Sequence, residues 1–282
     1  MGSTLLADRR GVALVIVLAL LVGMGAIAVE LSGAVRQEAN TVATVRARTV
    51  ARYAAESGVV VAEWRLRSVL DSSGTEPEWA AGYRQVESWL RGLDRVALGD
   101  ARFEVGVVDL NARLDLNRSD PATLRRLFGR FTSGRRAAEI TAALVARPVH
   151  RVAELALVPG SDPAFAAGVA PYVTVWGDGL VNLNSAPAPV LAALRGIGEA
   201  RAGGIVLRRQ SGELLGSAEL SQEADSAEEA GAQTVGLSAA PTRVLVVSRG
   251  WRLGHPLTHA IQAVYSVAGT RLRLEAWQER DL

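Results

Sequence analysis

The 282-residue sequence contains no cysteine and no lysine, and its only histidines are His150, His255 and His259. Without cysteine, the chain has no disulfide scaffold, no thiolate metal site and no cysteine nucleophile. Without lysine, it has neither a Schiff-base residue nor a P-loop lysine, which excludes Walker-type ATPases. All 31 basic residues are therefore arginines, and against 29 acidic residues they leave a formal charge of +2.

Aromatic residues make up only 5% of the chain, whereas hydrophobic residues make up 49% and charged residues 21%. Such a composition is typical of a chain that buries a core and not of a disordered one. The length allows one large domain or two smaller ones behind an N-terminal extension. The six tryptophans are expected in the core or at subunit contacts rather than around a cofactor.

Residues 11–29 form an apolar run of 19 positions without a charge. As a helix, this run is about 28 Å long, which is enough to cross the hydrocarbon core of a bilayer. Arg9 and Arg10 precede the run directly, and Glu30 follows it. The positive-inside rule therefore predicts that residues 1–10 stay in the cytoplasm and that the rest of the chain lies across the membrane.

The apolar run is either a secretory signal peptide or a retained membrane anchor. A signal peptide ends at a small-residue cleavage site, whereas here the sequence continues without proline from Glu30 to Leu70. Apolar residues such as Val42, Tyr53 and Trp64 recur in this part at helical spacing. We therefore favour an anchor and predict one continuous helix over 12–70, of about 59 residues and about 90 Å.

The tripeptide Arg9-Arg10-Gly11, followed by an apolar segment from Val12, resembles the processing site of type IV pilins and type II secretion pseudopilins. The resemblance implies that a membrane-embedded prepilin peptidase cuts between Gly11 and Val12. It also implies that the peptidase methylates the new N-terminus at Val12. Glycine fits before the cut because the peptidase must approach the backbone closely.

The fifth mature position would be Ile16, and here the sequence departs from most pilins. Most pilins carry a glutamate there, which neutralises the terminal amine of a neighbouring subunit inside the apolar filament core. Isoleucine cannot do so, which argues against a repeating shaft subunit. In this respect the sequence is similar to the K-type minor pseudopilins, which lack the glutamate and lie at a filament tip.

An internal repeat with an offset of 67 residues lies in the middle of the chain. Residues 114–117 read Leu-Asp-Leu-Asn, and residues 181–184 read Val-Asn-Leu-Asn. Each copy continues with cap residues and an early proline before a predicted short helix. These are Ser119, Asp120 and Pro121 in the first copy and Ser185 and Pro187 in the second.

The second copy continues with Gly196-Ile197-Gly198 between two predicted helices, which is the pattern of a helix-hairpin-helix motif. Gly196 and Gly198 allow the tight turn, and Ile197 is expected to pack between the helices. In the first copy the hairpin is degenerate, because residues 128–131 read Phe-Gly-Arg-Phe.

Such hairpins often bind DNA through backbone N–H groups, and seven arginines at 125–151 form a basic patch. Against this, Glu199 lies where the second hairpin would meet a phosphate. The stretch 213–229 carries six acidic residues and no basic one. It remains open whether the patch pairs with this stretch or binds a partner. We favour structural or protein-binding hairpins, and nucleic acid is not an expected partner.

K-type pseudopilins also carry a large α-helical domain inserted into the pilin sheet. The resemblance implies an α+β protein with a pilin-like fold, in which a long N-terminal helix packs on an antiparallel sheet. The inserted α-helical domain would contain the helix-hairpin-helix-like repeats. The domains would be the leader (1–11), the transmembrane anchor helix (12–30), the pilin-like domain (31–111 and 241–282) and the insertion (112–240).

Alternating residues predict strands at Arg102–Leu110, Arg243–Arg252, Leu257–Ala268 and Arg271–Trp277, with a turn at Gly269-Thr270.

His255 and His259 have the spacing of metal ligands on a helix, but a strand separates such residues widely. We therefore predict surface or turn positions for both. The resemblance implies structural calcium in loops of the pilin domain, for which Asp225 and Glu228 are the candidate ligands. The stretch around them lacks the pattern of an EF-hand loop and is expected to be solvated.

The resemblance implies a structural protein and not an enzyme: a minor pseudopilin at the tip of the type II secretion pseudopilus. It would initiate filament assembly and support protein export across the outer membrane. It would cross the bacterial inner membrane once, with its C-terminal domain in the periplasm. The implied partners are I- and J-type minor pseudopilins, the prepilin peptidase, and secreted substrates or the outer-membrane secretin. The alternatives are a pilin-like DNA-binding receptor that uses the hairpins and an anchored periplasmic enzyme, for which no catalytic set stands out.

Overall fold

The computed structural model describes residues 5–93, 95–216 and 236–282, with side chains from residue 13 onward except Ala34. The helices are α1 (Leu5–Ser72), α2 (Glu76–Arg91), α3 (Pro121–Phe128), α4 (Gly134–Ala146), α5 (Pro163–Val169), α6 (Ala188–Ala193) and α7 (Gly198–Gln210). The strands are β1 (Val96–Leu98), β2 (Ala101–Asp109), β3 (Leu114–Asp115), β4 (Val173–Thr174), β5 (Val181–Asn182), β6 (Leu237–Ser238), β7 (Arg243–Arg252), β8 (Thr258–Ala268) and β9 (Arg271–Asp281). The chain is an α+β protein, as predicted.

The long helix predicted from the N-terminal sequence is confirmed. α1 is a single helix of 68 residues, and it extends beyond the predicted range at both ends. At 1.5 Å per residue it is about 100 Å long. It ends at Ser72, shortly before Gly74, a residue that disfavours helix continuation.

Helix α2 is absent from the sequence predictions, although its start carries a local signal. Thr75 and Glu78 have the spacing of a capping box, and Pro77 lies in the first turn. The Glu78 carboxylate accepts hydrogen bonds from the backbone N–H groups of Gly74 (2.6 Å) and Thr75 (3.1 Å). The helix buries an apolar face against α1 and β2 that includes Trp79, Tyr83, Val86 and Leu90.

One antiparallel sheet of five strands has the order β1-β2-β7-β8-β9. The strands predicted at 102–110, 243–252 and 257–268 are confirmed to within one residue at each end, and so is the turn at Gly269. β9 is longer than predicted and continues through a polar segment to Asp281. β2 pairs along its full length with β7, from Ala101 opposite Arg252 to Asp109 opposite Val244. The segment between these two strands is therefore inserted into the sheet.

The C-terminal part of α1 lies directly on the sheet because small residues line the contact. Its buried residues include Ala47, Ala51, Ala54, Ala55 and Ala62. A Cβ atom at Gly250 of β7 would overlap the carbonyl oxygen of Ala51 and the amide nitrogen of Ala55. A Cβ atom at Gly58 of α1 would likewise overlap the Ser248 hydroxyl.

The buried apolar side chains form two large clusters. The sheet cluster joins α1, α2 and the five-stranded sheet through residues between 54 and 107 and between 240 and 272. The insert cluster consists of residues between 114 and 215, among them Leu127, Phe128 and Ile140. Helices α3–α7 thus build a core of their own within the predicted insertion, whose boundaries at 112 and 240 stay predictions.

The two copies of the repeat fold alike at the asparagine that ends each motif. The first two residues of the first motif form β3, which pairs in parallel with β4. The first two residues of the second motif form β5, which pairs in parallel with β6. The side-chain amide of Asn117 bonds to both the N–H and the carbonyl oxygen of Val149 (3.0 and 2.8 Å). The amide of Asn184 bonds in the same way to Leu215 (2.9 and 2.8 Å) and also donates to the Ala239 carbonyl oxygen.

The predicted helix caps hold in one copy only. Asp120 caps α3 by accepting a hydrogen bond from the N–H of Thr123 (3.0 Å). The prediction for Ser185 is wrong, because its hydroxyl donates to the Asp109 carboxylate, a charged and stronger acceptor. α6 begins after Pro187 without a side-chain cap.

Candidate functional site

The N-terminal half of α1 is apolar and exposed. Every described side chain of α1 before Ala47 is exposed. From Ala13 onward the helix is long and apolar enough to cross a membrane. An 18-residue window of this helix has a mean hydropathy of 2.7, and 0% of that window is buried. By length and composition, this part of α1 is suited to be a membrane anchor.

The predicted processing residues lie in this part of the helix. Gly11 and Val12 have helical backbone within α1, and their side chains are outside the described set. Cleavage and methylation there stay predictions. Ile16 is 55% exposed on the apolar half of α1.

Apolar residues recur along α1 on the side facing away from the sheet, and Arg46 interrupts them between Val42 and Tyr53. The residues Val35, Val42, Tyr53, Val60 and Trp64 form this outer stripe, and each is between 58% and 63% exposed. Their spacing places them within about 20° of one line on a helix of 3.6 residues per turn. The residues that α1 buries against the sheet lie on the opposite side. Such an exposed apolar line is typical of a helix that packs against another helix.

Ion pairs border the outer stripe on one flank. Two pairs stay within α1, and two tie α1 to the end of β9. These are Arg52–Glu56 (3.0 Å), Arg67–Glu63 (2.7 Å), Arg48–Asp281 (2.8 Å) and Arg52–Glu279 (3.3 Å). The pairs of Arg48 with Asp281 and of Arg52 with Glu279 explain why the polar end of β9 continues as a strand, since its acidic side chains have partners on the helix.

His259 is buried in β8, at 6% exposed, between two carboxylates of β9. Its Nδ1 lies 2.7 Å from Asp281 Oδ1, and its Nε2 lies 3.2 Å from Glu279 Oε2. The predicted surface or turn position is wrong for His259, because these carboxylates satisfy a buried ring. His255 does lie in the β7–β8 turn. The hydrogen bond from His259 lowers the pKa of Asp281, and hydrogen bonds from Trp277 and His259 lower the pKa of Glu279.

A buried polar network joins the inserted segment to the sheet. The Asp109 carboxylate, at the end of β2, accepts hydrogen bonds from the Asn182 amide (2.7 Å) and the Ser185 hydroxyl. It also accepts one from the N–H of Asn111 (2.8 Å), whose own amide donates to Asp178 (2.8 Å). Burial raises the pKa of Asp109 to about 6, although these hydrogen bonds favour its charged form. The network fixes the insertion on the end of the sheet.

The predicted hairpin turn lies between α6 and α7. Gly196 and Gly198 have positive φ angles of 87° and 61°, which glycine adopts without strain. Ile197 is 5% exposed and belongs to the insert cluster. The turn has the predicted local geometry, and its membership in the helix-hairpin-helix class stays a prediction.

The basic patch at 125–151 is partly neutralised within the described residues. Glu199, at the start of α7, pairs with Arg130 of the patch and so neutralises part of its charge. This pairing argues against the DNA-binding alternative. The contacts are Arg130–Glu199, Arg136–Asp162 (2.6 Å) and Arg126 to the Ala193 carbonyl oxygen (2.6 Å). Most of the acidic stretch 213–229 lies outside the described residues, although Glu213 pairs with Arg208.

The calcium candidates Asp225 and Glu228 lie outside the described residues. Within the ranges that are described, no three His, Cys, Asp or Glu side chains are grouped so as to hold a metal ion. Calcium binding therefore stays a prediction.

Sequence patterns alone do not identify Asp109 or the partners of His259. For Asp109 the one local signal is a polar residue at the end of an alternating strand, with Asn111 two positions later. The partners of His259 have no local signal. They become recognisable only from the β8–β9 register, which places His259 opposite Asp281.

A long helix with an apolar exposed half, packed on an antiparallel sheet, defines a pilin-like fold. No protein-family model matches the chain, and no curated protein matches it. A chain from the crystal structure of the GspK-GspI-GspJ complex of the enterotoxigenic Escherichia coli type 2 secretion system is similar in structure. Its TM-score is 0.59 at 14% sequence identity, and the match covers 87% of this chain and 99% of that chain. At this identity the similarity establishes the fold.

Proposed function

We propose that this chain is a K-type minor pseudopilin of a type II secretion system and lies at the tip of the pseudopilus. The observation that carries the proposal is the outer stripe. A helix that is apolar towards the sheet and again on its opposite side is suited to pack against further helices. The similarity in fold to a chain of the GspK-GspI-GspJ complex supports the same function.

In this proposal the partners are I- and J-type minor pseudopilins, whose long helices cover the outer stripe. Covering it removes apolar surface from water, which stabilises association by about 25 cal/mol per Å². In the membrane the contact would depend on close packing, for which the N-terminal half of α1 offers Gly23 and Gly25. The three-component complex would then start filament assembly in the inner membrane.

Two features support the tip position. Ile16 has no carboxylate to neutralise the amine of a neighbouring subunit, and a subunit at the tip has none above it. Helices α3–α7 add a bulky body beside α1 and the sheet, which fits the end of a filament but obstructs stacking above it. The chain would have no catalytic activity of its own and would support export of secreted substrates, directly or through the outer-membrane secretin.

The proposal includes processing by the prepilin peptidase between Gly11 and Val12, with methylation at Val12 and the C-terminal domain in the periplasm. Gly11→Ala should block removal of the leader, which intact-mass spectrometry of the membrane-extracted protein would detect. Gly25→Ala is the matched control, because it makes the same change beyond the cleavage site. Normal processing of Gly11→Ala would contradict this part of the proposal.

The partner contact is tested by co-expression of the full-length chain with I- and J-type pseudopilins and pull-down from detergent. The double variant Val60→Glu/Trp64→Glu should recover less than about a tenth of the wild-type partner, because two charges would enter an apolar contact. Leu157→Glu is the control, since Leu157 is 83% exposed on the insertion, away from α1. Full recovery by the double variant would place the partners elsewhere.

A further inference from the structure

A cleft of about 460 Å³ lies between the inserted segment and the side of the sheet that faces away from α1. Its volume is within the range of binding sites in proteins. Much of its lining is apolar and includes Leu110, Val173, Val175, Trp176 and Leu245. The proposed function leaves this cleft without a role.

Three arginines line the cleft from separate parts of the chain. Arg113 precedes β3, Arg151 follows α4, and Arg280 belongs to β9. Among the described residues, none of the three guanidinium groups has a hydrogen-bond acceptor or an ion-pair partner. Arg113 is half-buried, and its burial lowers its pKa. A guanidinium that is partly removed from water without an anion is destabilising.

The one acidic residue of the lining does not neutralise these arginines. Glu279 Oε1 accepts hydrogen bonds from Arg52 (3.3 Å) and from the Trp277 indole (2.6 Å). Its Oε2 faces His259. Both carboxylate oxygens of Glu279 are therefore engaged on the α1 side of the sheet, and the cleft keeps its positive charge.

We propose that this cleft binds an acidic segment of a second polypeptide, with carboxylates on the arginines and an apolar side chain against Trp176. A guanidinium matches the planar geometry of a carboxylate and bonds to it through two N–H groups. A polypeptide supplies acidic and apolar side chains next to each other, whereas the phosphate backbone of a nucleic acid would leave the apolar lining uncovered. This inference rests on the cleft alone and does not depend on the proposed function.

The probe is a fluorescein-labelled peptide, Gly-Glu-Leu-Glu-Leu-Glu-Gly, titrated with the full-length chain in detergent micelles and followed by fluorescence anisotropy. We expect saturable binding that is lost when every glutamate of the peptide is replaced by glutamine. Arg113→Gln, Arg151→Gln and Arg280→Gln should each weaken binding about tenfold, as the loss of one charge-assisted contact does. Arg151 and Arg280 are exposed, so their variants test the cleft even where Arg113→Gln unfolds the chain.

Arg273→Gln is the matched control. Arg273 lies on the same strand as Arg280, its side chain is 83% exposed, and it is 3.8 Å from Glu275. Its replacement removes the same charge outside the cleft and should leave the affinity within about twofold of wild type. The proposal is overturned if Arg273→Gln weakens binding as much as Arg280→Gln, or if the peptide does not bind. It is also overturned if a single-stranded DNA oligonucleotide binds more tightly than the peptide and depends on the same three arginines.

Discussion

The sheet cluster and the insert cluster differ in what holds their backbones in place. In the sheet cluster a long helix lies directly on the strands, and the absence of side-chain atoms at Gly58 and Gly250 makes this approach possible. In the insert cluster the helices have only 6 to 13 residues. There the connecting segments are fixed by polar side chains such as Asn117 and Asn184, which bond to the backbone.

This difference implies opposite sensitivities. Added atoms should damage the sheet cluster, because its backbone contacts leave no space. The insert cluster should be damaged by the loss of polar groups, because buried backbone atoms would lose their partners. For each variant, the measured quantity is the free energy of unfolding of the detergent-solubilised chain, obtained by thermal and chemical denaturation.

Gly250→Val should have the largest effect, a destabilisation of about 4 kcal/mol. The new Cβ would overlap the backbone of α1 at Ala51 and Ala55, which cannot move away as a flexible side chain could. Gly106→Val is the matched control in the adjacent strand β2, where a Cβ would meet nothing within 4 Å. Equal melting temperatures for the two variants would contradict the close helix–sheet contact.

Asp109→Asn tests the junction between the two clusters through its pH dependence. The folded state raises the pKa of Asp109 from 3.8 to about 6, so it binds this proton more tightly than the unfolded state does. The contribution of Asp109 to stability is therefore fully present below about pH 4 and is lost as the pH rises through about 6. The shift corresponds to about 3 kcal/mol.

The measurement for Asp109→Asn is the change in stability between pH 4.5 and 7, compared with wild type. The wild-type chain should lose folding stability over this range as Asp109 ionises. The variant has no carboxyl group at this position and should not show this loss. Asp162→Asn is the control. The N–H of Phe165 and the side chain of Arg136 lower the pKa of Asp162 from 3.8, so its contribution to stability is lost only at lower pH and this variant should keep the wild-type slope between pH 4.5 and 7. Identical pH slopes for wild type and Asp109→Asn would show that the junction carboxylate does not titrate in this range.

Asn184→Ala should destabilise the insert cluster by about 2 kcal/mol, because Leu215 and Ala239 lose hydrogen-bond partners. Asn117→Ala, at the equivalent position of the first copy, should cost less. Its amide bonds to Val149 alone. The reverse order of the two variants would mean that the copies do not depend on the asparagine in the same way.

Gly198→Val should have the smallest effect, about 1 to 2 kcal/mol. A Cβ would meet nothing within 4 Å at Gly198, so the cost comes from its positive φ alone. Gly203→Val, in the same helix and equally open but without a positive φ, is the comparison. An unchanged melting temperature for Gly198→Val would count against the predicted hairpin turn.

The sequence predicts those elements whose signal is local and periodic. The long helix follows from uninterrupted helical spacing, and three strands follow from alternation, each to within one residue at each end. The repeat also predicts the turn at Gly196–Gly198, because its glycines and Ile197 are adjacent in the chain.

The elements that the sequence does not predict depend on distant partners. The polar end of β9 becomes a strand through Arg48 and His259, which are far away in the chain. Ser185 leaves its expected cap for Asp109, 76 residues earlier. α2 is an exception, because the pattern of Thr75, Pro77 and Glu78 is local and was sufficient to predict its start.

The continuity of α1 has a mechanical consequence. A force that pulls on the N-terminal half is transmitted along one hydrogen-bonded rod, and none of it is absorbed by a hinge between elements. The contact from Ala47 to Leu70, about 35 Å long, would then be loaded in shear, so that its alanines, glycines and the salt bridges to β9 resist together. Extraction of such a chain from a bilayer would move the folded body as a unit and not unravel it residue by residue.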